Sequence, residues 1–204
     1  MSDDRGLVRT IDELEALYPW QDGMERKVAP AITPEQARYV EESPFVVIAT
    51  VGPEGVDCSP RGDPAGFVRI VDERTVMLPD RRGNNRVDTL RNIVRDGRVA
   101  LLFFVPGIGV TLRINGTARL LTCPALRESF AMADKVPTSI IEVSVGEVYT
   151  QCPKALIRSD LWNAEHRTHD DLPTVGQVMT GIVESFDVAA YDAAYPQRVA
   201  DTIY

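Results

Sequence analysis

The sequence predicts a mainly β fold with flanking helices, arranged as an antiparallel barrel that is closed or partly closed. Three observations carry this. Between Pro44 and about Pro153 the apolar residues gather in short β-branched runs; turn-forming residues join these runs in pairs; and few helix-length segments separate them. Parallel sheets need long crossovers, usually helical, so pairwise joining favours antiparallel pairing.

The first run, FVVIATV at 45–51, ends at the turn signal GPEG, and VDCSP then starts a partner strand. GFVRIVD and RTVMLPD flank a tight turn at Asp72 and Glu73 and read as a hairpin. RVALLFFVP and VTLRINGTARLLT, separated by Gly107-Ile108-Gly109, make a second and longer one. SIIEVSVGEVYTQ alternates Ile141, Val143 and Val145 with Glu142 and Ser144, as a half-buried strand does. The runs amount to roughly six strands.

Helical signals bracket them. From Thr10 to Ser43, Ile11, Leu14 and Leu17 recur behind Thr10 as an N-cap, and Thr33-Pro34-Glu35-Gln36 supplies a capping hydroxyl, a first-turn proline and a capping-box glutamine. Two short helices therefore lead into the core over about 10–43. A helix follows Arg86, with Val87, Leu90, Ile93 and Val94 on its apolar face and Asp88, Arg91, Asn92 and Arg95 opposite. Another follows Pro124 with Leu126, Phe130 and Met132. The region from Lys154 to 204 is helical and polar; Val175, Val178, Met179, Ile182 and Val183 form one stripe, and a second is broken at Pro196. A single domain over 1–204 is the default organisation, and two small ones are compatible with the length.

Composition narrows the function classes. A net charge of -8 and a pI near 4.8 argue against bulk capture of nucleic acid or anionic membrane. The longest wholly apolar stretches, Phe45–Ala49 and Val99–Val105, fall far short of the about 20 residues that span a bilayer. The charged start MSDDRGLVRTIDE has no apolar signal region, so the expected location is the cytoplasm. Cys58, Cys123 and Cys152 match no metal-ligand spacing and read as small, semi-buried free thiols; Cys152 beside Lys154 could also be a low-pKa thiol, although packing is the commoner role. His166 and His169 beside Asp170 and Asp171 form a possible metal pair without a third ligand, in a stretch polar enough to be a solvated face.

The most informative stretch is PDRRGNNRVDTLRNI at 79–93, where three arginines, a glycine and two asparagines directly precede a helix. Arginine is abundant here, 19 against three lysines, so only the clustering is informative. A helix N-terminus presents unpaired N–H groups and a positive dipole end. Gly83 permits a tight turn, Asn84 or Asn85 can cap, and Arg81, Arg82 and Arg86 carry guanidinium forks suited to phosphate oxygens. Each charge-assisted bond contributes about 1.5–3 kcal/mol, enough in sum to hold a phosphate monoester on an acidic protein. On residues alone, a solvated basic turn capping a helix stays open beside this phosphate site. No GxxxxGK[ST], GxGxxG, GxSxG or HExxH occurs, which removes support for ATP hydrolysis and for Rossmann dinucleotide binding.

Five segments together resemble one family. Ser59-Pro60-Arg61-Gly62-Asp63, the strand GFVRI, MLPDRRGNNRVDTLRNI, the hairpin RVALLFFVPGIGVTLRINGTARL and CPKALIRSDLW are similar to the FMN-binding split-barrel proteins related to pyridoxamine 5'-phosphate oxidase, over about residues 35–165. The resemblance implies an antiparallel split β-barrel and a homodimer with FMN at the subunit interface. It implies that Arg61, Asn85 and Arg86 hold the phosphate, with Asn85 standing where the family has a cation, and that Arg81 and Asn84 are neighbours. Pro60, Arg61, Gly62 and Asp63 would line the flavin ring edge, while Lys154, Arg158, Ser159 and Trp162 would reach the flavin of the opposite subunit. The family's oxidases carry a C-terminal segment with a tryptophan and arginines near the flavin, whereas this chain ends in VADTIY, so oxidation of the vitamin phosphate is not implied. The expectation is an FMN-dependent oxidoreductase acting on a small-molecule substrate, with no side chain required as acid or nucleophile. The alternatives are a non-catalytic flavin module for storage or sensing, or a split barrel holding haem or a deazaflavin; the haem option is weakened by the scarcity of histidine.

Overall fold

The computed structural model describes residues 6–19, 23, 27–83, 85–167 and 171–204. Seven strands form one antiparallel sheet: β1 (Phe45–Gly52), β2 (Gly55–Gly62), β3 (Arg69–Asp72), β4 (Thr75–Asp80), β5 (Arg98–Phe104), β6 (Thr111–Leu121) and β7 (Ser139–Gln151). Their spatial order is β2-β1-β5-β6-β7-β4-β3, with every neighbouring pair antiparallel. The expected mainly β split barrel is therefore present, with one strand more than anticipated. The β3–β4 turn lies at Glu73 and Arg74, one residue later than the sequence suggested.

Period-2 alternation builds the core. Val46 and Ile48, Val76 and Leu78, Leu101 and Phe103, Leu112 and Ile114, and Ile141 and Val143 are buried on the inner face. Burying each such side chain is favourable by about 1.5–3 kcal/mol relative to exposure. β6 and β7 fall out of step between Asn115 and Gly116. A side chain at Gly116 would overlap the Ser144 carbonyl oxygen, so the bulge requires glycine there. Glu142 keeps the face opposite Ile141 and Val143 but is buried there, and its carboxylate accepts a hydrogen bond from Arg119 Nε, which keeps the buried charge paired.

The helices divide into those that pack on the sheet and those that do not. α2 (Pro34–Glu41) starts with the expected capping box, in which Thr33 and Gln36 exchange hydrogen bonds, and it buries Val40. α1 (Ile11–Leu17) has the same box between Thr10 and Glu13 but buries nothing; Ile11 and Leu17 are exposed, so this helix does not lead into the core. α3 (Asp88–Arg95) lies over β1, β2 and β6. α4 (Pro124–Ser129) ends at the buried Phe130. After β7 come α5 (Lys154–Ser159), α6 (Val175–Thr180) and α7 (Val188–Thr202). Pro196 sits inside α7 without ending it, and Val175, Val178, Ile182 and Val183 face solvent in the single chain. The three cysteines are free and exposed rather than semi-buried. Among the described residues no helix is long and apolar enough to cross a membrane.

Candidate functional site

The basic turn links the end of β4 to α3, and its backbone departs from the expected cap. The N-cap is Val87, in the left-handed region at φ 55°, with no side-chain cap. Asn85 is left-handed as well, at φ 59°, and Asn84 lies outside the described residues. Asparagine tolerates that region; a β-branched valine does not, at a cost of about 1–2 kcal/mol. The result is a helix start whose N-cap residue supplies no side-chain cap, beside a cleft lined by Val87, Asp88, Thr89 and Leu90.

α3 also turns differently from its apolar pattern. Val94 is exposed, while Thr89, Asn92 and Ile93 are buried. Asn92 points inward because Thr50 on β1 accepts from its Nδ2 at 3.1 Å and because Gly52 leaves the space its amide occupies. Thr89 points inward because its hydroxyl donates to Asp57 Oδ2, which also accepts from Ser59 Oγ at 3.0 Å. The helix is thus fastened to β1 and β2 by two polar groups, Asn92, which the sequence pattern assigns to solvent, and Thr89, which it assigns to neither face.

The cleft has a volume of about 1090 Å³. Its walls are β2 (Asp57, Ser59, Arg61, Gly62), the end of β4 with the turn (Asp80, Arg81, Arg82, Gly83, Asn85, Arg86), the start of α3, and Thr138 and Ile203. β2 is one edge of the sheet and β4 is next to the other, so the sheet curls until its two ends face each other. No ladder closes that seam; ion pairs cross it instead. Arg81 Nε lies 2.6 Å from Asp63 Oδ2, and Arg61 Nη2 lies 4.0 Å from Asp80 Oδ1. Burial pushes the Asp80 carboxyl above the ordinary carboxylate range, and the Arg61 charge pulls it partly back. Arg86 pairs with Asp88 at 2.8 Å. A smaller cavity of about 370 Å³ continues past Asp57, Arg86 and Asp88 to Glu54, Arg91 and Arg95.

Of the residues expected in the site, Arg61, Gly62, Arg81, Asn85 and Arg86 line this cleft, together with Arg82 and Pro60. Asp63 does not; its carboxylate is almost fully buried behind Arg81, which it orients. Lys154, Arg158, Ser159 and Trp162 lie on α5 and just beyond it, away from the cleft of their own chain. Trp162 Nε1 there donates to the Ile108 carbonyl at 2.9 Å. His166 stands 3.7 Å from Asp160, and His169 and Asp170 lie outside the described residues. Asp57, Asp80 and Thr89 line the cleft and were not anticipated. Their signal was faint but present: Asp57 and Ser59 share one face of a period-2 strand with Arg61, and Asp80 stands directly beside the basic turn.

The family model described as pyridoxamine 5'-phosphate oxidase matches residues 32–152. No curated protein matches. Among solved structures, HupZ from Group A Streptococcus is similar at 21% identity, covering 59% of this chain and 94% of that one, with a TM-score of 0.49. General Stress Protein 26 from Bacillus anthracis is similar at 12% identity over 56% of this chain and 88% of that one, TM-score 0.44. An FMN-binding protein from Syntrophomonas wolfei is similar at 11% identity over 59% and 83%, TM-score 0.42.

Proposed function

The chain belongs to the pyridoxamine 5'-phosphate oxidase family, and from that membership and the geometry of its cleft we propose that it binds FMN and works as an FMN-dependent oxidoreductase on a small-molecule substrate. The observation that carries this is the convergence of Arg61, Arg81, Arg82 and Arg86 with the uncapped N-terminus of α3 on one cleft. Such a site suits a phosphate monoester. The volume also leaves room for the rest of a flavin mononucleotide, being just above the about 300–1,000 Å³ typical of small-molecule sites.

When bound, the flavin supplies the redox chemistry. The chain's own residues bind and orient. Arg61 reaches in from β2, and Arg86 from the turn, to bracket the phosphate from two sides of the seam. Asp63 fixes the direction of Arg81. Asp57, steadied by the Ser59 and Thr89 hydroxyls, offers a carboxylate acceptor for hydroxyls of the ribityl chain. Pro60 and Gly62 give the ring edge a wall of backbone and small side chains.

A second copy of the chain completes the proposal. Ile157, Leu161 and Trp162 are exposed apolar side chains on the segment that also carries Lys154 and Arg158, and a homodimer would cover them while bringing these cations to the partner's flavin. The test is flavin titration of the apoprotein, read by fluorescence quenching. FMN is expected to bind at one per chain and to be reduced by a reduced nicotinamide, with Arg61→Ala and Arg86→Ala each weakening binding by about 10- to 100-fold. A chain that ignores FMN refutes the reading; one that binds FMN without turnover is a flavin module rather than an enzyme.

A further inference from the structure

Asp80 is unusual among the cleft residues because it is a carboxylate where an anion is to be held. Only 18% of its side chain is exposed, and no hydrogen-bond donor reaches it among the described residues. Ser139 stands directly across from it in the β4–β7 register, yet the Ser139 hydroxyl is buried without any partner and so does not donate to it. The charged groups around Asp80 can be named element by element. β2 contributes Arg61 at 4.0 Å and, farther along the same wall, Asp57. The turn contributes Arg81, which is held by Asp63, together with Arg82 and Arg86; α3 contributes Asp88, which pairs with Arg86. The β7 end contributes the uncharged Thr138, and the chain end after α7 contributes Ile203 and the Tyr204 ring, which lies against the Arg81 guanidinium 5.8 Å from it. Arg61 is therefore the counter-charge within ion-pair reach of Asp80, and it is also the strand cation proposed to hold a phosphate.

One guanidinium cannot neutralise both. We propose that Asp80 is the internal competitor of the anion site: it holds Arg61 across the seam of the empty cleft and takes up a proton when a phosphate monoester captures Arg61. The inference rests on the flavin-phosphate reading above. Its physical basis is that a carboxylate left in a poorly solvated wall beside a new negative charge is disfavoured against its neutral form. Burial already moves Asp80 in that direction while Arg61 resists it. Linkage makes the effect reciprocal, so ligand affinity falls as pH rises through the range in which Asp80 of the empty cleft loses its proton. Protonated, Asp80 becomes a hydrogen-bond donor and joins the site instead of opposing it.

The experiment is calorimetric titration of the apoprotein with FMN in two buffers of different ionisation enthalpy, between about pH 5 and pH 7, for wild type and Asp80→Asn. The phosphate's own ionisation contributes equally to both proteins and cancels. Wild type is expected to take up more protons per FMN than the variant, by up to one, and the variant is expected to bind several-fold more tightly at neutral pH. Equal proton counts with FMN bound overturn this inference and leave the flavin reading standing. Absence of binding by the wild type overturns the flavin reading and this inference with it. If the variant does not fold, carbon-13 NMR of the Asp80 carboxyl in the wild-type chain decides: its titration midpoint is expected to rise when FMN is added, and an unmoved midpoint overturns the proposal.

Discussion

Replacing Arg81 tests the claim that ion pairs, not strand pairing, hold the seam. Asp63 keeps 3% of its side chain exposed and Arg81 15%, with Nε and Oδ2 2.6 Å apart. Arg81 also donates to the Phe130 carbonyl at 2.8 Å, which ties the turn to the end of α4. Arg81→Met removes the cation and strands Asp63 in a site with almost no water. Removing one partner of a buried pair costs about 3–5 kcal/mol. For a chain of this length each kcal/mol lowers the melting temperature by about 2–4 °C, so the expected fall is roughly 6–20 °C. The reverse change, Asp63→Leu, leaves Arg81 its carbonyl partner and a cleft to reach into, and it should cost less. The double replacement should cost less than Arg81→Met alone, because no unpaired charge is then buried. Thermal and urea unfolding of the ligand-free protein measure all three. If Arg81→Met stays within about 1 kcal/mol of wild type, in the range of a surface pair, the pair is not a latch and the seam is held by something else.

Three further expectations use the same assays. Val87→Asn should stabilise the chain by about 1 kcal/mol, since asparagine tolerates the left-handed backbone that valine occupies; a destabilised variant would mean that Val87 packing outweighs its strain. Gly116→Ala should destabilise by about 3 kcal/mol, because the new methyl overlaps a backbone carbonyl that no rotamer change can move away; an unaffected melting temperature would show the β6–β7 bulge to be plastic. The Asp80 carboxyl titrates above its unfolded value, so the folded chain holds this proton more tightly. That stabilisation is full below the unfolded value and lost as pH rises through the folded one, so Asp80→Asn should flatten the decline in stability above the ordinary carboxylate range. Equal pH–stability curves for the two proteins would contradict it.

Local chemistry was legible in the sequence and spatial closure was not. Capping at Thr10 and Thr33 depends on four consecutive residues; Thr33 forms the box as read, and Thr10 caps as read and adds a box with Glu13. The strand runs from Phe45 to Gln151 depend on alternation within a few residues and are likewise present. Asn92 faced the wrong way in the sequence reading because its inward turn depends on Thr50, far along the chain; Glu142 keeps the expected face, and only its burial beside Arg119 was not legible. Apolar stripes on α1 and α6 indicate a face and say nothing of what covers it, and in the single chain little does. The basic turn was recognisable because arginine and asparagine were contiguous. Its opposing carboxylates were not, because Asp57 and Asp80 belong to strands at opposite ends of the sheet order and meet only when the sheet curls.

That curl explains why an acidic protein can carry an anion site without a large local excess of positive charge. Had the seam closed with backbone hydrogen bonds, β2 would lie against the edge formed by β3 and the end of β4 and leave no cleft. Left open, the seam exposes two strand ends whose side chains must satisfy one another, and it does so with Arg61 to Asp80 and Arg81 to Asp63. A ligand phosphate therefore does not meet bare guanidinium groups. It replaces a carboxylate that already holds one, and its gain is the difference between the two contacts rather than the whole of either. Of the two pairs, Arg61 and Asp80 are at 4.0 Å without a hydrogen bond, while Arg81 and Asp63 are hydrogen-bonded and more deeply buried. Exchange is cheaper at the first, so under the proposed function Arg61 is the cation that a ligand would recruit and Arg81 the one that would keep the cleft in shape while it does so.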